Sequence, residues 1–152
     1  MTTIICVCTA NVCRSPMAAA LLKTALDNRG DIEVLSAGVS AIPNAGPSEN
    51  AARIMGQVGI DISGHTSTQL TEDLVQRSSL ILVMTRSHKN EILRSFPDAG
   101  KKVKLLGEYN AQKTEKSDDN LDIRDPIGLP LEDYQHCYHD IKKAIEGVTQ
   151  AL

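Results

Sequence analysis

The sequence predicts an α/β fold: a four-stranded parallel sheet flanked by helices, doubly wound, in a single domain over residues 1–152. Three observations carry this expectation. Short apolar runs rich in β-branched residues recur along the chain, and two of them, "TIICVC" and "SLILVM", lack the polar alternation of a half-exposed strand. The first three runs are separated by stretches of good helix formers. Those stretches carry start and stop signals at their ends.

Taken in order, "TIICVC" is the first strand. Ser15 is a good helix cap, Pro16 suits the first helical position, and Met17 to Asn28 continue as a helix closed by Gly30. "IEVLSAG" is the second strand, followed by the loop "VSAIPNAGPS". Ser48 caps a helix through Val58, stopped at Gly59, and Thr71 to Arg77 form a short helix after the irregular "DISGHTSTQL". "SLILVM" is the third strand, Thr85 caps the helix "SHKNEILRSF", and "KVKLL" is the fourth strand. Residues 107–130 read as one long polar loop, a length that points to function or disorder. A last helix over 131–151 buries Tyr134, Cys137, Tyr138, Ile141, Ile145, Val148 and Leu152 at helical spacing.

Composition narrows the function. The chain has 152 residues, 41% hydrophobic and 23% charged, as in an ordinary globular domain. A net charge of -3 without a basic block argues against a nucleic-acid surface. No apolar run approaches the ~20 residues of a membrane span. The start, "MTTIICVCTA", lacks the length and basic onset of a signal peptide, so a cytoplasmic location is expected. With one Phe, three Tyr and no Trp, any pocket is walled mainly by aliphatic or polar side chains.

The chemistry concentrates in "VCTANVCRSP", Val7 to Pro16. Cys8 ends a strand, and in parallel sheets ligands bind beyond the carboxyl ends of strands. The loop Thr9, Ala10, Asn11, Val12, Cys13 and Arg14 can curl so that its backbone N–H groups converge on an anion. The helix start adds further free N–H groups, and Arg14 a planar fork suited to a phosphoryl group. A free cysteine of pKa ~8.5 is only a few per cent thiolate at neutral pH. Lowering such a pKa by about three units takes roughly 4 kcal/mol, which several N–H donors, a helix start and a guanidinium can supply. The same groups would bind the transferring phosphoryl oxygens. Asp125, in "RDP" with Pro126 stiffening its backbone, suits a general acid.

Competing readings are weaker. Cys6 alternates with Cys8 and reads as core. A zinc site on Cys6, Cys8 and Cys13 lacks any Cys-x-x-Cys pair, and no metal or other cofactor is expected. His136 and His139 read as surface residues, and "KSDDN" at 116–120 as solvated loop.

"VCTANVCRSPMAAALL" together with "DIRDPIG" resembles the low-molecular-weight protein tyrosine phosphatases. "SAG" at 36–38, "GIDISGHTSTQL" at 59–70 and "LILVMTRSHKNEIL" at 80–93 look like family segments in the family order. The resemblance implies Cys8 as nucleophile, Arg14 as phosphate-binding arginine and Asp125 as general acid. It implies that Asn11, Ser15 and Ser36 brace the loop and the thiolate. Cys13 matches a second cysteine able to form a protective disulfide with the nucleophile. A phosphorylated protein is the implied substrate, and a monomer the expected state.

Three features set this chain apart. Ala10 stands where glycine is common, so the backbone there must avoid a glycine-only conformation. "SAIP" at 40–43, with Ile42, has no aromatic where many members place one. Ile127 and Gly128 follow Pro126 where eukaryotic members carry tyrosines. The pocket entrance is therefore expected to be framed by Val12, Ile42 and Ile127. A bacterial branch with a similar "DP-x-G" segment acts on phosphoarginine and carries threonine at the position of Val12. The sequence thus favours phosphotyrosine hydrolysis, with a protein-arginine phosphatase as runner-up and a non-catalytic phosphate-binding module as third reading. Related arsenate reductases add a downstream pair of relay cysteines; none lies between Cys13 and Cys137.

Overall fold

A computed structural model describes residues 1–111 and 121–152. Strands β1 (Thr2–Cys8), β2 (Ile32–Gly38), β3 (Leu80–Val83) and β4 (Val103–Leu105) form one all-parallel sheet in the order β2-β1-β3-β4. The helices are α1 (Arg14–Ala25), α2 (Glu49–Gln57), α3 (Glu72–Arg77), α4 (Arg86–Ser95) and α5 (Leu131–Ala151).

Strand periodicity divides the core into two layers. Ile4, Cys6 and Cys8 of β1 face Met17 and Leu22 of α1, Met55 of α2 and Ile141 of α5. Ile5 and Val7 face the other way, toward Val75 of α3 and Ile92 of α4. Burial on both faces is why the strands read as nearly continuous apolar runs. The chain steps from β1 outward to β2, then returns across β1 to β3. This reversal opens a crevice at the carboxyl ends of β1 and β3. Cys8 is the last residue of β1, paired with Gly38 of β2.

Three local start signals operate as expected. Ser48, Thr71 and Thr85 cap α2, α3 and α4, each side chain accepting from a backbone N–H of the first turn. Gly59 closes α2 with a φ of 80°.

Helix α1 departs from expectation at both ends. It starts at Arg14 with Cys13 as cap residue, and no side chain caps it; Ser15 lies inside the helix. It ends at Ala25 rather than Asn28, because the N–H of Arg29 turns back to the carbonyl of Leu26. Leu152 is exposed, not part of the α5 core stripe.

The expected loop over 107–130 is shorter than its polarity suggested. Leu106–Tyr109 form a 3-10 turn. Leu121 and Ile123 are buried, and the Ile123 N–H donates to the carbonyl of Met84 just beyond β3 at 2.8 Å. That bond anchors the segment carrying Asp125 beside the crevice. "KSDDN" at 116–120 lies outside the described residues. Among the described residues, no helix is long and apolar enough to cross a membrane.

Candidate active site

The loop from Thr9 to Cys13 is held by its carbonyls. The carbonyl of Cys8 accepts from Val39 N–H, that of Thr9 from Ser40 N–H, and that of Val12 from Ser48 N–H, at 3.0, 2.9 and 2.7 Å. The Asn11 carbonyl accepts from His65 Nε2 at 2.7 Å, so that imidazole carries its proton on Nε2. With these carbonyls turned outward, the N–H groups face inward. Among the described residues, no backbone N–H from Thr9 to Arg14 has a protein acceptor. This is the geometry of an anion nest opening onto a helix N-terminus.

Asn11 makes the turn. Its φ of 59° lies in the left-handed region, which asparagine tolerates better than most residues, whereas Ala10 stays out of that region as its side chain requires. The buried Asn11 amide accepts from Thr68 N–H at 2.9 Å and donates to Ser15 Oγ at 2.7 Å. Ser15 Oγ lies 3.0 Å from Cys8 Sγ. Asn11 occupies a lone pair of that hydroxyl, and its one proton has two acceptors in reach, the Cys8 sulfur at 3.0 Å and the Ala37 carbonyl at 3.4 Å, of which the sulfur is the nearer. Ser15 therefore serves the thiol instead of capping the helix.

Gly38 is a site residue that local sequence did not reveal. A Cβ built there would lie 2.5 Å from the Thr9 carbonyl oxygen and 3.0 Å from the Asn11 nitrogen. Both contacts are backbone, so the catalytic loop itself would have to move. Gly38→Ala is expected to cost roughly 1–3 kcal/mol in urea unfolding and to weaken inorganic phosphate binding. A variant with wild-type values for both would show that the loop tolerates the displacement.

Arg14 is buried at the start of α1. Its NH1 donates to the Ile123 carbonyl at 2.9 Å, and its NH2 lies 3.6 Å from Asp125 Oδ2. The Ile127 N–H donates to Asp125 Oδ1 at 3.0 Å, which fixes the carboxylate and leaves Oδ2 toward the arginine. The Asp125 side chain is 47% exposed, while Arg14 is enclosed. The Arg14 guanidinium and the Asp125 carboxylate thus meet from more than a hundred positions apart, and Ser15, the residue after Arg14, touches the Cys8 thiol.

His88, the third residue of α4, is a second residue missed in the sequence. It is buried, and its Nε2 lies 2.8 Å from Thr9 Oγ1. Burial, aided by Arg14 and opposed by Asp125, pushes its pKa down to about 4. The unfolded imidazole titrates near 6.5. Protonation therefore favours unfolding: the His88 contribution is complete above about pH 6.5 and is lost as the pH falls toward 4, up to about 3 kcal/mol. Urea unfolding at pH 7 and pH 4.5 should show a larger acid loss for wild type than for His88→Gln. Equal losses would assign the acid sensitivity to other groups.

The thiols of Cys6 and Cys13 are held away from ionisation. Burial pushes Cys6 up to about 12. Cys13 is raised by its side-chain hydrogen bond with Cys137 and by burial, so its thiol sits on the α5 side of the loop. All four cysteines are free.

Ser36 does not occupy the position expected for it. It pairs with Cys6, two residues short of Cys8, and among the described residues its hydroxyl bonds no loop atom. Bracing of the loop falls to Asn11, Ser15 and His65. Val12 is half-buried; Ile42 and Ile127 are 79% and 48% exposed on the segments that follow β2 and Asp125. His136 and His139 are exposed on α5, as expected. Among the described residues, no cluster of three or more His, Cys, Asp or Glu is placed to hold a metal ion.

The geometry can be compared with known proteins. The chain is 38% identical over 145 residues to a probable low molecular weight protein-tyrosine-phosphatase, EpsP, of Ralstonia solanacearum, covering 95% of this chain and 92% of the relative. It is 35% identical over 149 residues to a protein-arginine-phosphatase of Geobacillus stearothermophilus, covering 98% and 95%. The fold superimposes with a TM-score of 0.88, at 33% identity and over 99% and 95% of the two chains, on a cysteine-to-serine mutant of the YwlE arginine phosphatase with a phosphorylated active-site serine. The model of the family described as low molecular weight phosphotyrosine protein phosphatase matches residues 3–152. A thiol seated over inward N–H groups, with its arginine and carboxylate, thus stands on the fold of that family across nearly its whole length, and this chain belongs to the low molecular weight phosphotyrosine protein phosphatases.

Proposed function

We propose that the protein hydrolyses phosphotyrosine in protein substrates through a phosphocysteine intermediate, without a metal ion. The observation that carries this reading is the convergence of Cys8, the inward N–H groups of its loop, Arg14 and Asp125 at the carboxyl end of β1. The Cys8 sulfur attacks phosphorus in line, and the bond to the leaving oxygen breaks. Arg14 and the loop N–H groups hold the equatorial oxygens as charge builds on them. Asp125 donates a proton to the leaving oxygen. Its carboxylate then takes a proton from water, which attacks phosphorus and releases phosphate and the thiolate.

Phosphotyrosine is favoured over phosphoarginine by the apolar entrance. Neither Val12 nor Ile127 offers a side-chain acceptor to a guanidinium, and desolvating a polar group without a partner is costly. The same entrance lacks aromatic rings, so a tyrosine gains area burial but not the ~0.5–1.5 kcal/mol of ring pairing. A nucleophile and an acid together also favour turnover over a pure binding module. A monomeric, cytoplasmic enzyme acting on phosphoproteins rather than nucleic acid completes the reading.

The test begins with p-nitrophenyl phosphate in EDTA, where turnover is expected. Values of kcat/KM are then measured for phosphotyrosine and phosphoarginine in wild type and in Val12→Thr. Wild type should prefer phosphotyrosine, and Val12→Thr should move the ratio toward phosphoarginine by supplying a hydroxyl of nearly the same shape. A wild type that already prefers phosphoarginine would reverse the assignment.

A further inference from the structure

The buried ring of His88 has a feature that the reaction scheme above does not use. Its Nε2 is 2.8 Å from Thr9 Oγ1, but its Nδ1 is fully enclosed and has no hydrogen-bond partner. A neutral imidazole has one N–H and one lone pair, so Nδ1 carries one of the two without a partner. A buried N–H without an acceptor is rarer in folded proteins than an acceptor without a donor. The tautomer that avoids it places the proton on Nε2. The ring then donates to Thr9 Oγ1, and the lone pair is left at Nδ1. The alternative, Thr9 donating to Nε2, strands the N–H in the core.

This choice of tautomer has a consequence for Thr9. A hydroxyl has one proton and two lone pairs. If His88 fills one lone pair, the Thr9 proton is not spent on the protein. Thr9 is exposed, follows the nucleophile directly, and belongs to the loop whose N–H groups face inward. His88 is also near enough to Arg14 and Asp125 to feel both charges, which places the pair at the same end of the site.

We propose that His88 is a positioning residue that turns the Thr9 hydroxyl into a hydrogen-bond donor to a phosphoryl oxygen of the bound substrate. The inference rests on the phosphatase reading above and adds one side-chain donor to the backbone cradle. The ring does not itself meet substrate. It remains neutral through the cycle and acts by holding the Thr9 oxygen and by leaving its proton free. Glutamine at position 88 can present an amide N–H near the place of Nε2, whereas leucine cannot. Serine at position 9 keeps the hydroxyl, whereas valine keeps the shape and loses it.

The experiment measures orthovanadate inhibition and p-nitrophenyl phosphate kinetics for wild type, Thr9→Val, Thr9→Ser, His88→Leu, His88→Gln and the double variant Thr9→Val with His88→Leu. Vanadate stands in for the transferring phosphoryl group. Thr9→Val and His88→Leu should each raise the vanadate inhibition constant roughly tenfold, as expected for one lost hydrogen bond to a charged group. Thr9→Ser and His88→Gln should remain near wild type. The double variant should be no worse than either single one, because both changes remove the same interaction. In the ring nitrogen spectrum of wild type, Nε2 should be the protonated nitrogen.

A wild type inert toward p-nitrophenyl phosphate would remove the phosphatase reading itself. An active wild type with unchanged vanadate inhibition in Thr9→Val would overturn the present inference alone. So would additive losses in the double variant, or a proton found on Nδ1. If His88→Leu does not fold, Thr9→Val, His88→Gln and the nitrogen spectrum still decide the question.

Discussion

Cys8→Ser should abolish turnover, by at least about 10⁴-fold in kcat, while the protein remains folded. The substitution is nearly isosteric in a buried position, so the packing of Cys8 against β2 and α1 should survive. What changes is the nucleophile. A serine hydroxyl ionises far less readily than a thiol, and among the described residues its side-chain partner is no general base but the Ser15 hydroxyl, 3.0 Å from the sulfur and itself accepting from Asn11. The binding half of the cradle is untouched, since Arg14 and the loop N–H groups do not depend on the sulfur. Inorganic phosphate should therefore bind within roughly tenfold of wild type, while p-nitrophenyl phosphate turnover falls to background. A folded Cys8→Ser protein with substantial turnover would show that another group performs the attack. Loss of phosphate binding together with activity would mean that the loop had collapsed.

The fold was legible in the sequence because its signals are local. Ser48, Thr71 and Thr85 each cap a helix by accepting from an N–H three residues on, and such a bond needs no distant partner. Buried parallel strands announce themselves as apolar runs. Ser15 shows where local reasoning misleads. A serine before a helix-forming stretch usually caps it, but here the hydroxyl is turned to Cys8, a choice made by Asn11 and the end of β1. The long loop was overestimated for a similar reason. Leu121 and Ile123 are isolated apolar residues in a polar stretch, and only the sheet end and the Gly107 backbone show why they are buried.

The parts of the site that were illegible are those held across the chain. His88 meets Thr9 over 79 positions, and His65 meets Asn11 over 54. Neither histidine stands in a local pattern that distinguishes a loop brace from a surface residue. Gly38 reads as the end of a strand; its need for a missing side chain arises from the backbone of Thr9, Ala10 and Asn11 beside it. Ser36 rests on the resemblance alone, and its register opposite Cys6 leaves it two pairs away from Cys8. Cys8 and Arg14 stand out in the sequence because strand–loop–helix spacing carries chemical meaning before any contact is known, whereas "RDP" alone is a common turn signal and Asp125 gains meaning only beside that loop.

Asp125→Asn separates acid catalysis from positioning. The isosteric amide can still accept the Ile127 N–H through its oxygen, so the turn that fixes residue 125 should persist. It cannot donate a proton to a leaving oxygen as a carboxylic acid does. The loss should therefore depend on the leaving group. For phosphotyrosine, whose phenolate is a strong base, kcat should fall by roughly 10²–10⁴-fold. For p-nitrophenyl phosphate, whose nitrophenolate departs with little help, the fall in the first step should be much smaller. The second half of the reaction adds a complication with a clear signature. If Asp125 is also the base that activates water, the variant should accumulate phosphoenzyme with p-nitrophenyl phosphate, seen as a burst of nitrophenol followed by slow turnover. The open position of the carboxylate, 47% exposed and 3.6 Å from Arg14, gives it access to both a leaving group and a water. Removing its charge also frees Arg14 NH2 for the phosphoryl oxygens, so phosphate should bind at least as tightly to the variant as to wild type. Equal losses on the two substrates, with no burst, would take the acid role from Asp125 and leave it only the task of aligning the arginine.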